Sequence, residues 1–591
     1  MKRKMIFKNV LVAMAAVVAG TLTTACSDWD DHYEAESAVT GSATSTIWQN
    51  IAENNNLSQF AALLKKTGYD QVLNASQTYT VWAPLNGTFD YDALNAIENE
   101  KLLKEFVKNH IARSNFPASG SLSERIFMLN EKVLKFEGAG NYTMQGVGVA
   151  QANVPSVNGV IHTLNGKVDF LSNILESLEP GEFPIDSISN YIHSYDVRKL
   201  NVSKSIEGPI VDGRITYLDS VFDDDNLLTN TFWTYYDNED SNYTMVVPTN
   251  EAWNKAMNTI APYFNYVDSF SFYETPSTAA GVSRTVPVLI DAAKLRDSLM
   301  HTTLVHGLFY NNNLYDNGKL MSLEDGQRLQ ADSLVTTTYS VIYEEDAANL
   351  FEGTTHQKKS NGDFFVTDDT LRMHPWMFWN PVIKVEAEMA SSQASTRNCT
   401  VGTYSITSGT QNPAVSGYVS SSSYIDLIGT SNRVNPEINF YLPNVLSTTY
   451  CFYAVFVPSN ITNTYLDPAD LKPSMITASV GYNNADGSLP RGNRPATIAE
   501  KISNDPTKID TLFLGEFTFP ICYRGTGDYY PYLRIIGSVP SSDTGEYDRS
   551  YRLDCILLVP KELDEYVKTH PGYKYQTDPM NSGRGGVVIV L

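Results

Sequence analysis

Two histidines, His110 and His162, have side chains that could take part in chemistry. His110 and His162 could bind a metal ion together, because the neutral imidazole is a common metal ligand. The dipeptide Asn158-Gly159, just before His162, recurs as Asn361-Gly362, and in that register Phe365 stands where His162 does. A metal role shared by both places does not survive this substitution. We therefore expect both histidines to be structural.

Two acidic clusters could attract calcium: Asp223-Asp224-Asp225, and Asp237 with Glu239 and Asp240. Their spacing lacks the alternating DxDxDG order of ligands, which favours solvated loops. The sequence also lacks a GxSxG elbow, an HExxH motif, a P-loop and a GxGxxG turn. We expect no catalytic residue, no cofactor and no metal site, and a protein that is not an enzyme.

His162 and the turn dipeptides belong to a pair of short segments that occurs twice in the same order. The first copy reads TVWAPLNGTF (Thr80 to Phe89) and SVNGVIHTLN (Ser156 to Asn165), and the second reads TMVVPTNEAW (Thr244 to Trp253) and KSNGDFFVTD (Lys359 to Asp368). The first segment of each copy predicts a strand, a proline stop and a capped helix. The second predicts a turn into a strand. Two copies predict two related domains.

Polar residues after each proline predict helix caps. We expect Asn86 to cap the helix that carries Phe89. In the second copy, Thr249 or Asn250 is expected to cap a helix over Glu251 to Ile260.

A further helix is predicted between the paired segments of each copy. Apolar residues at helical spacing indicate it over Lys101 to Ile111 in the first copy and over Leu295 to Val305 in the second, where His306 takes the place of His110. The second copy has extra residues around Asn265 to Thr285, which we expect to form a surface loop.

On these segments each copy resembles the fasciclin-like domain family, whose hallmarks are a TxFAPTNxAF-type and a SNGVIHxID-type stretch. The resemblance covers residues 45–177 as domain 1 and 192–385 as a degenerate domain 2 with insertions. It implies tandem α+β fasciclin-like domains, each a small sheet surrounded by helices. It also implies extracellular adhesion or matrix binding rather than catalysis.

The C-terminal third, residues 386–591, favours an antiparallel β-sandwich, jelly-roll-like, because extended runs alternate with Pro, Gly, Asn and Ser. The predicted strands are Tyr424 to Ile428, Glu437 to Leu442, Tyr450 to Val457, Met475 to Tyr482, Thr511 to Phe519, Tyr532 to Ile536, Tyr551 to Val559 and Val587 to Leu591. Trp376 and Trp379, in the bridge before this region, are expected to wedge the domains together.

Four tyrosines of this region, Tyr523, Tyr529, Tyr530 and Tyr532, are candidate ligand-binding residues, since their rings could stack on sugar faces as in the carbohydrate-binding modules that this region resembles. A packing cluster is the alternative reading of these rings. Carboxylates converging in an open groove, about 5 to 10 Å apart, would instead indicate a glycan-active enzyme.

The N-terminal residues predict export. A basic start, an apolar run from Val10 to Ala19 and small residues up to Ala25 are typical of a signal peptide over residues 1–25. Cys26 then resembles a bacterial lipobox cysteine, which implies lipidation. The acidic residues of the flexible tether, 26–44, resemble the surface-export signal of Bacteroidetes lipoproteins. We expect a lipid-anchored outer-membrane protein that faces the cell exterior.

Charge and cysteine content exclude some partners. A net charge of -23 argues against nucleic-acid binding, which needs clustered Lys and Arg. The remaining cysteines, Cys399, Cys451, Cys522 and Cys555, have no CxxC spacing, so a zinc site is not expected. Their pairing stays open between disulfides and buried thiols.

These observations predict a non-enzymatic adhesion or binding lipoprotein. Its resemblance to accessory lipoproteins of starch-utilisation-type (SusC/SusD-like) nutrient import systems implies a transporter complex or other surface lipoproteins as partners, and a glycan or a protein as ligand. The alternative is a glycan-active enzyme or a glycan-binding protein that uses the C-terminal sandwich.

Overall fold

The computed structural model describes residues 43–179, 181–275, 284–313, 333–407, 409–522, 531–573 and 575. They form two compact units. The first contains the described residues up to Ser172 together with Val197–Asp225, and the second contains Asn173–Asp196 and the chain from Asn226 onward. Within the described part of the chain, no helix is long and apolar enough to cross a membrane.

A seven-stranded sheet organises the first unit. Its strands are β1 (Tyr79–Pro84), β2 (Ile111–Arg113), β3 (Ser121–Phe127), β4 (Val133–Ala139), β5 (Asn141–Met144), β6 (Val147–Ser156) and β7 (Gly159–Leu164), in the order β2-β1-β7-β6-β5-β4-β3. The two predicted strands β1 and β7 lie side by side and parallel, with Trp82 opposite His162. Both are buried almost throughout, as expected of strands covered on both faces.

Helices pack beside this sheet. They are α1 (Ile47–Glu53), α2 (Ser58–Lys66), α3 (Tyr69–Leu73), α4 (Tyr91–Ala96) and α5 (Asn99–Leu102), with a π-helical turn at Leu103–Val107 and 3₁₀ turns at Asn55–Leu57 and Lys108–His110. The helix predicted over 101–111 is therefore present as far as His110. Its hydrogen-bond pattern changes twice, from α to π and then from π to 3₁₀. Apolar residues of α1 to α3 share one core with Tyr79 and Val81 of β1.

Four short strands follow the first domain in the chain: β8 (Asp196–Leu200), β9 (Ile206–Val211), β10 (Arg214–Asp219) and β11 (Phe222–Asn226). β9 and β10 form an antiparallel hairpin, and β8 pairs with β11. The acidic run Asp223 to Asp225 lies in β11 rather than in a loop. Asp223 accepts two hydrogen bonds from Asn201 and pairs with Lys204.

The second unit contains a sheet with the same central pairing. β12 (Tyr243–Pro248) lies parallel to β19 (Gly362–Thr367), flanked by β15 (Phe309–Asn311) and β18 (Thr355–Lys359) in the order β15-β12-β19-β18. Its helices are α6 (Asp186–His193), α7 (Leu228–Phe232), α8 (Asn250–Ile260), α9 (Ala292–His306), α10 (Glu344–Phe351) and α11 (Pro375–Phe378), with a 3₁₀ turn at Ala261–Tyr263. Thr249 caps α8 by accepting the Ala252 N–H, as one of the two predicted caps.

The predicted surface loop of the second copy contains regular structure. β13 (Ser269–Thr275) pairs with β14 (Arg284–Ile290) in an antiparallel hairpin. A second hairpin joins β16 (Ser333–Val335) to β17 (Val341–Tyr343). The stretch around 265–285, expected to be a surface loop, is therefore largely a β-hairpin in its described residues, because two extended runs in it pair with each other.

Two antiparallel sheets follow. One has the order β22 (Cys399–Ser405), β23 (Ser423–Gly429), β30 (Tyr551–Pro560), β25 (Thr449–Phe456) and β28 (Asp510–Thr518), with β20 (Ile383–Glu386) also on β30. The other has the order β21 (Gln393–Arg397), β24 (Glu437–Tyr441), β29 (Tyr532–Gly537), β26 (Met475–Gly481) and β27 (Ala496–Ser503). Helix α12 (Lys561–Thr569) follows β30.

Residues from both sheets form one buried core, which includes Ile425, Phe452 and Leu553 from the first sheet and Phe440 and Leu533 from the second. Seven of the eight strands predicted here are confirmed within a residue or two, and the eighth, Val587 to Leu591, lies outside the described residues. Cys399, Cys451, Cys522 and Cys555 are free thiols, so no disulfide joins them.

Candidate functional site

His110 has both ring nitrogens occupied by backbone groups. Its Nδ1–H donates to the Phe106 carbonyl at 2.7 Å, and its Nε2 accepts the Val168 N–H at 2.9 Å. Burial lowers the pKa of His110 to about 4. The ring is a neutral strut between a helical turn and the chain after β7, with no nitrogen left for a metal ion or a proton transfer.

Both ring nitrogens of His162 are likewise hydrogen-bonded to backbone groups. Its Nε2–H donates to the Phe116 carbonyl at 2.9 Å, and Nδ1 accepts the Asn153 N–H at 3.3 Å. The ring stacks on Trp82 with centroids 5.6 Å apart, and burial lowers its pKa to about 4. Of the described residues, neither this histidine nor His110 belongs to a group that could hold a metal ion. The expectation of structural histidines agrees with this geometry.

The strand registers fix which residues of the two copies correspond. Tyr79 lies opposite Gly159 and Tyr243 lies opposite Gly362, so Phe365 does occupy the place of His162. The register of β2 and β15 equates Ile111 with Phe309, which places Leu308 at the position of His110. The prediction that His306 corresponds to His110 is wrong by two residues, because helical periodicity alone does not fix where a helix passes into a strand.

Asn158 and Asn361 are the residues that the two copies use identically. The Asn158 side-chain oxygen accepts the Ile47 N–H at 2.8 Å, and its amide donates to the Leu73 and Ala75 carbonyls. In the second copy the Asn361 side chain accepts the Ile174 N–H at 2.9 Å and donates to the Tyr236 and Asn238 carbonyls. Each asparagine therefore ties two distant chain segments to the central strand pair.

The glycine after each of these asparagines is equally constrained. Gly159 and Gly362 have φ values of +138° and +153°, which L side chains rarely adopt. A Cβ on either would overlap the carbonyl oxygen of the facing strand, at Tyr79 in one copy and at Tyr243 in the other.

Asn86 and Asn250 also have matching roles, but not as predicted. Asn86 accepts the Gln59 N–H and donates to the Asn55 carbonyl, so it holds the start of α2, while Asp90 caps α4. Asn250 accepts the Ser187 N–H at the start of α6. The prediction that Asn86 caps the following helix is wrong, because its amide reaches a helix earlier in the chain.

Of the four predicted ligand-binding tyrosines, only Tyr532 is among the described residues. Tyr523, Tyr529 and Tyr530 lie outside the described residues, as does Cys26. Tyr532 is half-buried, and its ring covers the backbone of Gly481 on the paired strand β26, where a Cβ would collide with it. This ring therefore has a packing role, and sugar stacking by the group stays a prediction.

The two tryptophans predicted to act as a wedge both pack in the second unit, each in a different core. Trp376 packs with Cys451, Leu557 and other residues of the sheet that contains β30. Trp379 belongs to the core around β12 and β19 and meets Tyr263 edge to face at 6.0 Å. Further bonds link the chain after α8 to the C-terminal third: the Tyr263 hydroxyl donates to Glu562 at the start of α12, and the Cys522 thiol donates to the Tyr263 carbonyl.

A buried charged cluster is the one group that could hold a metal ion among the described residues, and sequence reasoning missed it. Glu386, Asp554 and Cys555 bring a ligand atom each within 4.8 Å of one another, and all three are buried. The signal was the alternation Lys384, Glu386, Glu388 around β20, since alternate residues of a strand point to one face. The buried carboxylates do not line an open groove of the glycan-hydrolase kind.

Comparison with known proteins identifies one region. Residues 55–167 match the family model of the fasciclin domain. Transforming growth factor-beta-induced protein ig-h3 of Sus scrofa is 27% identical over 127 residues, which are 20% of this chain and 18% of that protein. The chain thus matches less than a fifth of the length of this curated relative. It contains a fasciclin domain, accompanied by further all-β sheets.

Three solved structures also show similarity. The FAS1 domain pair of the insect cell adhesion molecule Fasciclin I is 15% identical and covers 55% of this chain and 98% of its own, with a TM-score of 0.19. Paenibacillus xanthan lyase is 14% identical, covers 34% and 15%, and has a TM-score of 0.19. An exo-beta-1,3-galactanase from Phanerochaete chrysosporium is 10% identical, covers 30% and 28%, and has a TM-score of 0.15.

Proposed function

We propose that this protein is a non-enzymatic adhesion or binding lipoprotein of the outer membrane, built from two fasciclin-like domains and a C-terminal β-sandwich. The observation that carries the proposal is the fasciclin domain at 55–167, in which both histidines are consumed by backbone hydrogen bonds. A domain whose two histidine side chains are held by internal hydrogen bonds is suited to bind partners through its surface. Fasciclin domains are typically associated with adhesion.

The second fasciclin-like domain is supported by geometry that repeats residue by residue. The parallel strand pair, the asparagine clamp at Asn158 or Asn361 and the amide at Asn86 or Asn250 occur in both copies. Shared hydrogen bonds at equivalent positions are stronger support than composition, because each bond needs the whole local backbone in place. The tandem is thus proposed as a duplicated scaffold.

The tandem is proposed to serve nutrient capture at the cell surface, as an accessory of a starch-utilisation-type import system anchored through Cys26. Support comes from the sequence: the signal-peptide pattern, the cysteine after Ala25 and the acidic tether. The wedge of Trp376 and Trp379 would let the second fasciclin-like domain and the sandwich act as one rigid arm.

A location experiment and a partner experiment test separate parts of the proposal. Whole-cell labelling with a membrane-impermeant amine reagent should modify the protein, and Cys26→Ala should remove it from the outer-membrane fraction. Affinity purification of a tagged chain from detergent-solubilised outer membrane, after mild crosslinking, should recover a transporter and its lipoprotein lid. Recovery of the chain alone would contradict the import complex while leaving the surface location intact.

A further inference from the structure

Two exposed aromatic residues, Trp233 and Tyr339, contact each other on the second unit and are called the aromatic pair below. Trp233 is 55% exposed and Tyr339 is 50% exposed, and Tyr235, two residues after Trp233, is 55% exposed. The rings of the pair meet edge to face, with centroids 5.2 Å apart and an interplanar angle of 68°. Trp233 follows α7 and Tyr339 lies in the turn between β16 and β17, so two distant stretches of chain supply the pair. Clustered exposed rings indicate a binding surface, whereas single ones do not.

Both residues of the aromatic pair have a left-handed backbone. The φ angle is +51° at Trp233 and +71° at Tyr339, in a region that bulky side chains rarely adopt. Trp233 ends α7 at a position where glycine or asparagine usually takes this conformation. Backbone strain of this kind persists only where the surrounding structure enforces it, and it concentrates at ligand-binding sites. The chain thus has large rings at two places where glycine would fit with less strain.

One buried residue, Phe309 of β15, holds both sides of the aromatic pair. The rings of Phe232 and Tyr236 stack on the Phe309 ring, with centroids 6.2 and 5.6 Å away. From the β16–β17 turn, the Thr337 N–H donates to the Phe309 carbonyl at 3.0 Å. All three rings of this support are buried. Because the support is rigid, the aromatic pair is ordered before any ligand arrives, which lowers the entropy cost of binding.

The chain on both sides of the aromatic pair carries no charge. Residues 226–236 and 333–343 contain no Asp, Glu, Lys or Arg, although 18% of the whole chain is charged. Hydroxyl and amide groups are the polar groups here, and those of Asn230, Thr231 and Ser340 belong to exposed or half-buried residues. A phosphate, a carboxylate or a cation would need an opposite charge. A neutral sugar fits instead, because aromatic rings cover its apolar face while hydroxyl and amide groups bond to its hydroxyls.

We propose that the aromatic pair, together with Tyr235, is a stacking platform for a neutral polysaccharide. The 68° angle between the two rings makes a corner, in which one ring lies flat against a sugar face and the other contacts the sugar edge. None of these residues is among the tyrosines that the sequence predicted as ligand-binding. The inference names the ligand class of the proposed binding function, and it rests on that function for its role in the cell.

Affinity electrophoresis of the purified full chain tests the platform. Native gels contain starch, arabinoxylan or glucomannan as neutral polysaccharides, and polygalacturonate as the anionic comparison. We expect retardation in at least one neutral gel and none with polygalacturonate. Isothermal titration with an oligosaccharide of the retarding polymer should give the same Kd at low salt and in about 0.5 M NaCl, because stacking involves no ion pair.

Trp233→Ala and Tyr339→Ala should each weaken binding about tenfold or more, because buried aromatic contacts contribute most of the affinity of such a site. Trp233→Phe keeps a ring and should weaken binding less than Trp233→Ala does. The matched control is Tyr465→Ala, which removes a ring that is 97% exposed, and this variant should bind as the parent chain does.

Melting curves separate loss of the platform from loss of the fold. Trp233→Gly should melt at a higher temperature than Trp233→Ala, because glycine adopts a φ of +51° without strain. Both variants should nevertheless lose binding to the same extent. Weak binding in the more stable glycine variant would show that the ring itself contacts the sugar.

The proposal is overturned if none of the three neutral polysaccharides retards the parent chain, if polygalacturonate alone does, or if both alanine variants bind as the parent chain does. In the last case the protein still binds glycan, so the proposed binding function stands and only this platform is removed. Conversely, recovery of the chain alone from solubilised outer membrane contradicts the import complex and leaves the platform in place.

Discussion

Trp376 and Tyr573 are joined by a buried hydrogen bond in which the indole N–H donates to the phenolic oxygen at 2.8 Å. The Tyr573 hydroxyl in turn donates to Asp346 Oδ2 of α10 at 2.6 Å. The relay connects the bridge after the second copy, the end of the chain after α12 and a helix of the second copy. One hydroxyl group therefore links three elements of the second unit.

Tyr573→Phe should lower the free energy of unfolding by about 1–3 kcal/mol, because it leaves a buried indole N–H without its acceptor and Asp346 without this donor. Chemical denaturation followed by tryptophan fluorescence measures the change. Tyr465→Phe, which alters a tyrosine that is 97% exposed, is the control and should change stability by less than about 0.5 kcal/mol. Equal midpoints for both variants would contradict the role of the relay.

Asn158→Ala and Asn361→Ala should each destabilise their own copy by about 3 kcal/mol, since three hydrogen bonds, two buried and one part-buried, are lost in each case. Hydrogen exchange read by mass spectrometry locates the effect. Faster exchange should be confined to the first unit for Asn158→Ala and to the second for Asn361→Ala. Asn56→Ala, at an exposed side chain, should leave exchange elsewhere unchanged.

His162→Phe should make stability less dependent on pH. The folded pKa of about 4 lies below the unfolded value of about 6.5, so the unfolded chain binds the proton first and stability falls as pH drops below 6.5 and levels off below 4. Between pH 7 and 5 the parent chain should lose about 2 kcal/mol more than the variant. The variant is also expected to be weaker at pH 7, because two hydrogen bonds disappear. Parallel pH curves for the two proteins would refute this assignment.

Asp219→Ala should destabilise the first unit by about 3 kcal/mol, because Asp219 pairs with Lys108 at 2.9 Å and accepts the Tyr69 hydroxyl at 3.0 Å in a buried setting. The comparison variant is Glu124→Ala, at an exposed carboxylate on β3 of the same unit. Urea denaturation of both shows whether the cost belongs to the buried pair. A midpoint shift no larger than that of Glu124→Ala would show that the pair contributes nothing net.

Thiol counting tests both the free cysteines and the lipid anchor. With Ellman's reagent in 6 M guanidinium, the protein purified from membranes should give four reactive thiols, since Cys399, Cys451, Cys522 and Cys555 are free and a lipidated Cys26 is blocked. Five thiols would argue against lipidation, and two or fewer would argue for a disulfide. Native protein should react more slowly, because three of the four are buried.

Local patterns in the sequence predicted much of the scaffold. Strand-forming residues before Pro84 and Pro248, and the turn dipeptides before β7 and β19, located the two strands of each central pair. Their parallel pairing and its register were found only in the structure. The partners of side chains were harder to predict. Asn86 looks like a helix cap in sequence, but its true partner, the Gln59 N–H, is brought to it only by tertiary folding.

The charged cluster shows the same limit from another side. Glu386 could be placed on one face of a strand by its spacing from Lys384, yet Asp554 follows 168 residues after Glu386 in the sequence. Only the pairing of β20 with β30 brings these carboxylates together. Spacing rules such as DxDxDG detect sites within one loop and miss sites assembled from two strands.

The glycines at 159 and 362 determine which residues can identify other copies of this scaffold. A duplicated domain can replace His162 by phenylalanine, because the ring is only a packing element, but it cannot place any side chain on the glycine without moving a neighbouring strand. Searches for diverged relatives should therefore weight the asparagine and glycine pair above the histidine. Domains that lost the histidine long ago would then still be found.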